Sequence, residues 1–348
     1  MVDRQHAVSH RDSVLLRRES LWSAHGRYSY ALWGESVSVW LFPGQGSQSV
    51  GMGKGLADTF PGAARAYDEA NDALKLDVRA LCWDGPASEL ERTANAQPAI
   101  LATSIAALRA AQAEGLSTGS VILAGHSLGE FTALVAGGGL DFGDALRLVR
   151  QRGELMQAAD ASGGMAAVLG LDADAVSRAI DGTGIVVAND NAPGQVVITG
   201  PLAAMPRATE NLKVAGAKRV IPLKVSGAFH SPAMKAVAPK LAQAIRATPF
   251  TPLRYPVIAN VDAQVHTNSN DFVTLLEKQV HSPVQWVASV RRAAGEGATT
   301  FIEFGAGNVL TGLVKRILPD ARTANVSDPA TLKEALDLVR QDPHREPG

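Results

Sequence analysis

The chain has 348 residues, of which 46% are hydrophobic and 19% are charged. This balance is typical of a globular protein with a sizeable core and excludes a largely disordered chain. Lys and Arg number 33 against 34 for Asp and Glu, so the sequence lacks the positive surplus expected of a protein that binds nucleic acid or an anionic membrane surface.

The first 36 residues carry several Arg and His residues but no continuous apolar segment, so they are not typical of a secretory signal. We interpret 1–36 as a flexible N-terminal extension, with a start codon placed too early as the alternative. The apolar stretch 121–140 is about as long as a membrane span, but it contains His126 and Glu130, and a strand, a turn and a helix explain it better. The single cysteine, Cys82, excludes an intramolecular disulfide and lacks the spacing of a metal site, which favours a cytoplasmic protein without a bound metal.

The first half of the chain predicts a sheet covered by helices. The apolar run 39–42 leads into a glycine-rich loop, in which backbone amides are exposed. Helical periodicity covers 61–81 and 97–112, and a β-compatible run at 120–124 is followed by a turn and a helix-compatible segment at 130–136.

The pattern changes between 164 and 226, where strands and helices alternate. The predicted elements are, in order, strand 165–171, helix 173–180, strand 185–188, turn 189–194, strand 195–199, helix 202–215 and strand 218–225. This βαββαβ order is typical of a ferredoxin-like domain. After residue 229 come further helices, an apolar run at 256–261 and a final strand at 299–304, which we expect to return to the first sheet.

These elements predict an α/β protein with two domains. A large α/β-hydrolase-like domain with a parallel sheet is formed by 37–162 and 227–340. The ferredoxin-like domain, 163–226, is inserted into it. We expect the polar, proline-containing segment 341–348 to be a flexible tail.

The segment Gly125-His126-Ser127-Leu128-Gly129 fits the Gly-x-Ser-x-Gly pattern of a nucleophile elbow. Its glycines allow a strand and a helix to pack closely around a strained turn that exposes the serine hydroxyl. The flanking predicted strand and helix match what such a turn requires. Ser127 is therefore predicted to be a covalent nucleophile, beside a helix N-terminus whose free amides can stabilise an oxyanion.

A serine hydroxyl needs a base within hydrogen-bond reach, and the chain has eight histidines. His126 precedes the nucleophile and is expected to point elsewhere, whereas His230 lies where the small domain rejoins the large one and a cleft is expected. His230 is the predicted base. No acidic residue between Ser127 and His230 stands out as a third triad member, so a backbone carbonyl or a side-chain amide is left to orient the histidine.

With these residues in place, the segment from about 39 to 338 resembles the malonyl-CoA:acyl carrier protein transacylases of fatty acid synthesis. It is similar, more distantly, to the acyltransferase domains of polyketide synthases. The segments that carry the resemblance are FPGQGSQ at 42–48, QPA at 97–99, GHSLGE at 125–130, RG at 152–153, 189–195, GAFHS at 227–231, PVQW at 283–286 and GAGNVL at 305–310.

The resemblance implies a two-step transfer of malonyl from malonyl-CoA, through an ester on Ser127, to the phosphopantetheine thiol of holo acyl carrier protein. His230 would act as base and then as acid, and the backbone amides of Gln45 and Leu128 would form the oxyanion hole. The implied reaction needs no cofactor, since malonyl-CoA is a substrate. A monomer is the expected state.

The resemblance also implies roles for side chains that the residues alone would not single out. Arg152 would hold the free carboxylate of malonyl, a task suited to a planar guanidinium. Gln97 and Met156 would line the pocket, and Phe229 would leave little room for the α-methyl group of methylmalonyl. The resemblance also implies that the backbone carbonyls of Asn191 and Gln279 contact the ring nitrogen of His230 that faces away from Ser127.

Other assignments stay open. The same chemistry would serve a stand-alone acyltransferase that loads a polyketide synthase, or the malonyl-loading subunit of a malonate decarboxylase. A serine hydrolase is disfavoured by Arg152 and by the missing acidic triad member. A non-enzymatic binding module would be expected to have lost Ser127, His230 or Arg152, and all three are present.

Overall fold

The computed structural model describes residues 37–116, 120–159, 162–225 and 227–341. The predicted extension, 1–36, and the predicted tail after Gln341 lie outside the described residues. The described strands are β1 (Val37–Phe42), β2 (Ser120–Gly125), β3 (Gly163–Leu169), β4 (Val186–Ala192), β5 (Gln195–Pro201), β6 (Arg219–Pro222), β7 (Val257–Ile258), β8 (Val265–His266), β9 (Ala298–Phe304) and β10 (Arg322–Val326).

Helices precede or follow most of these strands. The described α-helices are α1 (Lys54–Thr59), α2 (Pro61–Leu74), α3 (Val78–Trp83), α4 (Ala87–Leu90), α5 (Thr93–Ala113), α6 (Gly129–Ala136), α7 (Phe142–Ala158), α8 (Ala173–Ile180), α9 (Met205–Val214), α10 (Ala238–Ala247), α11 (Asp271–Gln279), α12 (Trp286–Gly295), α13 (Val309–Ile317) and α14 (Pro329–Arg340). Short 3₁₀ helices lie at Leu202–Ala204 and Pro232–Ala236. In the described part of the chain, no helix has both the length and the apolar character needed to cross a membrane.

The large sheet has the strand order β10-β9-β1-β2-β7-β8. Neighbouring strands are parallel except β8, which pairs antiparallel with β7. Every residue of the central strand β1 is buried, because Trp40 and Phe42 face one core while Val39 and Leu41 face the other. A parallel sheet covered on both faces explains why its strands are continuous apolar runs. The predicted α/β class with a parallel sheet is confirmed.

The second sheet has the order β4-β5-β3-β6, and all its pairs are antiparallel. On one face, Val168 and Ile198 belong to a core that α8 and α9 complete. On the other face, Met165 and Val197 line the cleft between the two sheets. Because successive side chains of a strand point to opposite faces, one face of this sheet packs in its own core and the other faces the cleft. The domain boundaries at 163 and 226 stay a prediction.

Three elements differ from the sequence-based expectation. The helix predicted at 61–81 is two helices, because Lys75 adopts a left-handed conformation (φ 52°) and the Asp77 side chain caps the next helix by accepting from the Ala80 amide. The turn predicted at 189–194 is shorter, since β4 stays paired with β5 as far as Ala192. The strand at 299–304 is not the last, because β10 follows it as a half-buried edge strand without an apolar run.

Helix α5 contains Pro98 five residues after its first residue. Proline has no N–H, so the carbonyl of Ala94 loses its partner within the helix. The Arg150 Nη1 atom donates to this carbonyl at 3.3 Å, which satisfies it from the neighbouring helix α7. The proline is therefore accommodated without breaking the helix that carries Gln97.

Candidate active site

The candidate site lies at the carboxyl ends of the parallel strands β1, β2 and β7. Ligand sites of open α/β sheets are found at this edge. The loop 43–48, the turn after β2 and the cleft-facing side of the small sheet line a cavity of about 410 Å³. Asn260, which follows β7, bonds to the turn after β2.

Ser127 occupies the tight turn between β2 and α6, with φ at 52°. A Cβ atom on Gly125 would lie 1.9 Å from the Gly129 backbone, and one on Gly129 would lie 1.9 Å from the Phe42 carbonyl oxygen. Only glycine allows strand, turn and helix to approach so closely. The strained serine backbone and the two flanking glycines give the geometry that the motif predicts for a nucleophile elbow.

The hydroxyl of Ser127, the predicted nucleophile, is 2.8 Å from Nε2 of His230, the predicted base. Nδ1 of the same ring lies 2.9 Å from the Gln279 carbonyl and 3.2 Å from the Ser282 carbonyl. Both partners only accept, so Nδ1 carries the proton and Nε2 is free to accept from serine. Burial, together with the charge of Arg152, lowers the pKa of His230 to about 3, which keeps the ring neutral at pH 7.

The structure corrects the expectation for Asn191. Its backbone carbonyl does not contact His230; the Ser282 carbonyl takes that place beside Gln279. The Asn191 side chain instead lies 2.8 Å from Nε2 of His126. The physical reason is that β4 runs on through this residue and pairs with the segment around Val284, which brings the 280–285 loop to His230.

Gln45 and Leu128 both line the cavity that contains Ser127. Leu128 directly precedes α6, so its amide belongs to a helix N-terminus, where N–H groups have no intrahelical partner. Neither the Gln45 amide nor the Leu128 amide has an acceptor within the described ranges. Two unpaired donors beside a serine hydroxyl can stabilise negative charge on a carbonyl oxygen under attack.

Arg152 is buried at the base of the cavity, only 1% exposed. Its Nη2 atom donates to the Ser127 hydroxyl at 3.2 Å and to Oε1 of Gln279 at 2.8 Å, while Nη1 donates to Oε1 of Gln97 at 2.8 Å. No carboxylate in the described chain forms an ion pair with it. Burial lowers its pKa to about 10, so the guanidinium is still charged at pH 7.

The remaining predicted pocket residues are Gln97, Met156 and Phe229. Gln97 and Met156 both line the cavity, and Nε2 of Gln97 contacts the Met156 sulfur at 3.5 Å. Phe229 is buried and also lines the cavity, directly before the histidine.

Two polar residues of the site were missed by sequence reasoning. Asn260 bridges the elbow, because its Oδ1 accepts from the Ser127 amide and its Nδ2 donates to the Gly125 carbonyl, both at 2.7 Å. Glu130 is fully buried and accepts from the Asn260 amide and from Nε2 of Gln279, both at 3.0 Å. The sequence signal for Asn260 was its position as a polar residue inside the apolar run 256–261.

Within the described ranges, no cluster of His, Cys, Asp and Glu is arranged to hold a metal ion.

Comparisons with known proteins agree on one family. The acyl transferase domain model matches residues 39–333. The chain is 45% identical to the malonyl CoA-acyl carrier protein transacylase of Bacillus subtilis strain 168 over 314 residues. This alignment covers 88% of the present chain and 98% of the relative.

Two solved structures are similar over most of both chains. The acyl-carrier-protein S-malonyltransferase of Burkholderia pseudomallei 1710b has a TM-score of 0.84 at 44% identity, over 86% of this chain and 99% of that one. A malonyl-transacylase solved in complex with its type II PKS acyl-carrier protein has a TM-score of 0.84 at 42% identity, over 87% and 99%. The chain therefore belongs to the acyl transferase family, as a homologue of the malonyl CoA-acyl carrier protein transacylases.

Proposed function

We propose that the protein transfers malonyl from malonyl-CoA to the phosphopantetheine thiol of holo acyl carrier protein, through an ester on Ser127. The observation that carries this proposal is the buried guanidinium of Arg152, 3.2 Å from the nucleophile and without a carboxylate partner in the described chain. A buried charge is costly unless it is paired. The free carboxylate of a malonyl group attached to Ser127 would supply the missing partner.

In the first half-reaction, the Ser127 hydroxyl oxygen attacks the thioester carbonyl carbon while Nε2 of His230 takes the hydroxyl proton. The carbonyl oxygen becomes negative within reach of the amides of Gln45 and Leu128. Burial disfavours a protonated His230, and the nearby oxyanion offsets this cost in the intermediate. Collapse breaks the carbon–sulfur bond, and His230 returns its proton to the coenzyme A sulfur.

The second half-reaction runs in the opposite sense. The carrier thiol gives its proton to His230 and attacks the ester carbonyl, the carbon–oxygen bond to Ser127 breaks, and His230 returns the proton to the serine oxygen. Each half-reaction exchanges one thioester or ester for another, so no cofactor is required. Water must be kept out, because water in place of the carrier thiol would hydrolyse the ester. The burial of His230 and Arg152 favours transfer over hydrolysis.

The pathway that we propose is fatty acid biosynthesis in the cytoplasm, with this protein supplying extender units. The named transacylase relatives support this choice. A polyketide carrier is the second candidate, because one structural neighbour was solved with a type II PKS acyl-carrier protein.

The test is the intact mass of the purified protein after brief exposure to malonyl-CoA, beside Ser127→Ala and Ser289→Ala. Ser289 is a matched buried serine that donates to its own helix. We expect a malonyl adduct on the wild type and on Ser289→Ala, and none on Ser127→Ala. Absence of the adduct from all three would refute the proposal.

The second stage adds a carrier to the loaded protein. Holo fatty acid carrier should remove the adduct and gain its mass, whereas the apo form should not. Transfer only to a polyketide carrier would favour the second candidate. An adduct that disappears at the same rate with or without a carrier would indicate a hydrolase.

A further inference from the structure

The side-chain amide of Gln279 lies between a donor and two acceptors. Its Oε1 atom accepts from Nη2 of Arg152 at 2.8 Å, and its Nε2 atom donates to the Ser127 carbonyl at 2.8 Å and to Oε2 of Glu130 at 3.0 Å. A guanidinium can only donate, and a backbone carbonyl can only accept. Arg152 and the Ser127 carbonyl therefore permit a single orientation of this amide, in which its N–H groups face Ser127 and Glu130.

Glu130 has no evident role in packing alone. It is fully buried, its Oε1 atom has no hydrogen-bond partner in the described part of the chain, and burial raises its pKa to about 7. A buried carboxyl group with an unpaired oxygen costs folding free energy. An apolar side chain at this point of α6 would avoid that cost, but it would remove one of the two acceptors of the Gln279 amide and the acceptor of the Asn260 amide.

Glu130 is linked to Arg152, His230 and Ser127 through two intermediate residues, Gln279 and Asn260. Gln279 holds Arg152 through its side chain and the His230 ring through its backbone carbonyl. Asn260, whose amide donates to Glu130, fixes the Ser127 amide through its own side chain.

We infer that Glu130 is a positioning residue whose accepting oxygen fixes the Gln279 amide and so aims the Arg152 guanidinium at the carboxylate of the incoming acyl group. Glu130 touches neither substrate nor reacting atom. This inference rests on the proposed function. Its consequence is a selective one, because only a diacid substrate uses the guanidinium, so the preference for malonyl over acetyl depends on Glu130.

Three variants distinguish the effect of the hydrogen-bond-accepting oxygen of Glu130 from the effect of its negative charge. Glu130→Ala removes the acceptor, Glu130→Asp withdraws it by one methylene, and Glu130→Gln keeps a carbonyl oxygen that can accept from both donors. The readout is the ratio of kcat/KM for malonyl-CoA to that for acetyl-CoA in loading Ser127. Each preparation is measured with both substrates, so the ratio does not depend on how much of the protein is folded.

We expect the ratio to fall about 10- to 100-fold in Glu130→Ala and Glu130→Asp, as for other supporting residues next to a reacting group. In Glu130→Gln it should stay within about threefold of the wild type, because the acceptor is retained. Glu303→Ala is the matched control, since Glu303 is an equally buried glutamate that accepts from the first amides of α13. That variant should lose stability while its ratio is unchanged.

An unchanged ratio in both Glu130→Ala and Glu130→Asp would overturn the inference and show a role in stability alone. A ratio that falls as far in Glu130→Gln as in Glu130→Ala would also overturn it, by pointing to the charge and not to the accepted hydrogen bonds. A wild type that forms no malonyl ester is a separate result, which refutes the proposed function itself.

Discussion

Replacing Arg152 with alanine should abolish the preference for a diacid acyl group. The side chain places two nitrogens at the base of the cavity, one of them 3.2 Å from the oxygen that carries the acyl group. Its pKa, lowered to about 10, leaves it charged at pH 7, where His230, with a pKa of about 3, is neutral. The guanidinium is thus a permanent donor to any carboxylate held beside the ester.

Loss of one partner of a buried, hydrogen-bonded charge pair costs about 2–5 kcal/mol. At 1.4 kcal/mol for each factor of ten, this corresponds to a fall of roughly 30- to several-thousand-fold in kcat/KM for malonyl-CoA. Acetyl-CoA has no carboxylate, so its loading should be unchanged or faster. Arg152 also contributes to the low pKa of His230, and its removal should make the histidine a stronger base.

The assay is single-turnover loading of Ser127 from each acyl-CoA, followed by intact mass. Arg147→Ala is the control, because Arg147 lies on the same helix but is exposed and pairs with Asp144. Its two rates should match those of the wild type. Equal losses with malonyl-CoA and acetyl-CoA in Arg152→Ala would show that the guanidinium supports the fold of the site and does not recognise the diacid.

Three further predictions concern the elbow, the base and acid stability. Gly129→Ala places a Cβ atom 1.9 Å from the Phe42 carbonyl oxygen and should lower the melting temperature, whereas Gly312→Ala, in an open helix position, should not. His230→Ala should slow malonyl loading, measured by rapid quench, by about 10²- to 10⁴-fold. The pKa of His230 is lowered in the folded protein, so the free energy of unfolding decreases as pH falls from 6.5 towards 3. The pKa of Glu130 is raised in the folded protein, so the free energy of unfolding increases as pH falls from 7 to 4.5. Glu130→Gln should therefore lose melting temperature more steeply than the wild type between pH 6.5 and 4.5.

The parts of the fold that the sequence predicted well are those specified by short-range patterns. Strand β1 is a continuous apolar run, and helix α8 has the bounds that its periodicity predicted, Ala173–Ile180. Strand β10 was missed because Arg322–Val326 is half-buried and has neither an apolar run nor a strict alternation. Its place in the sheet comes from pairing with β9, a contact that no local pattern reveals.

The candidate site also has residues that a local pattern predicts and residues whose role depends on long-range contacts. Ser127 could be predicted from five consecutive residues, because the elbow is a local constraint in which each glycine prevents a clash. The partners of His230 could not be found from the residue pattern, since Gln279 and Ser282 contact it through backbone carbonyls, and any residue type supplies a carbonyl. Gln279 was expected only from the family resemblance, and Ser282 was not expected. The expectation for Asn191 was wrong for this reason: a backbone role depends on where the chain passes.

No carboxylate of the described residues bonds to His230, so the site lacks the acidic member of a serine triad. In such a triad one carboxylate both orients the histidine and compensates its charge. Here two backbone carbonyls orient His230, and Arg152 beside the ring would make a second positive charge costly. The buried carboxylate is instead placed behind Gln279, where it can orient the amide that holds Arg152 without pairing with that arginine directly. A carboxylate bonded directly to Arg152 would compete with the malonyl group for the guanidinium, so separation by one amide leaves the arginine available to the substrate.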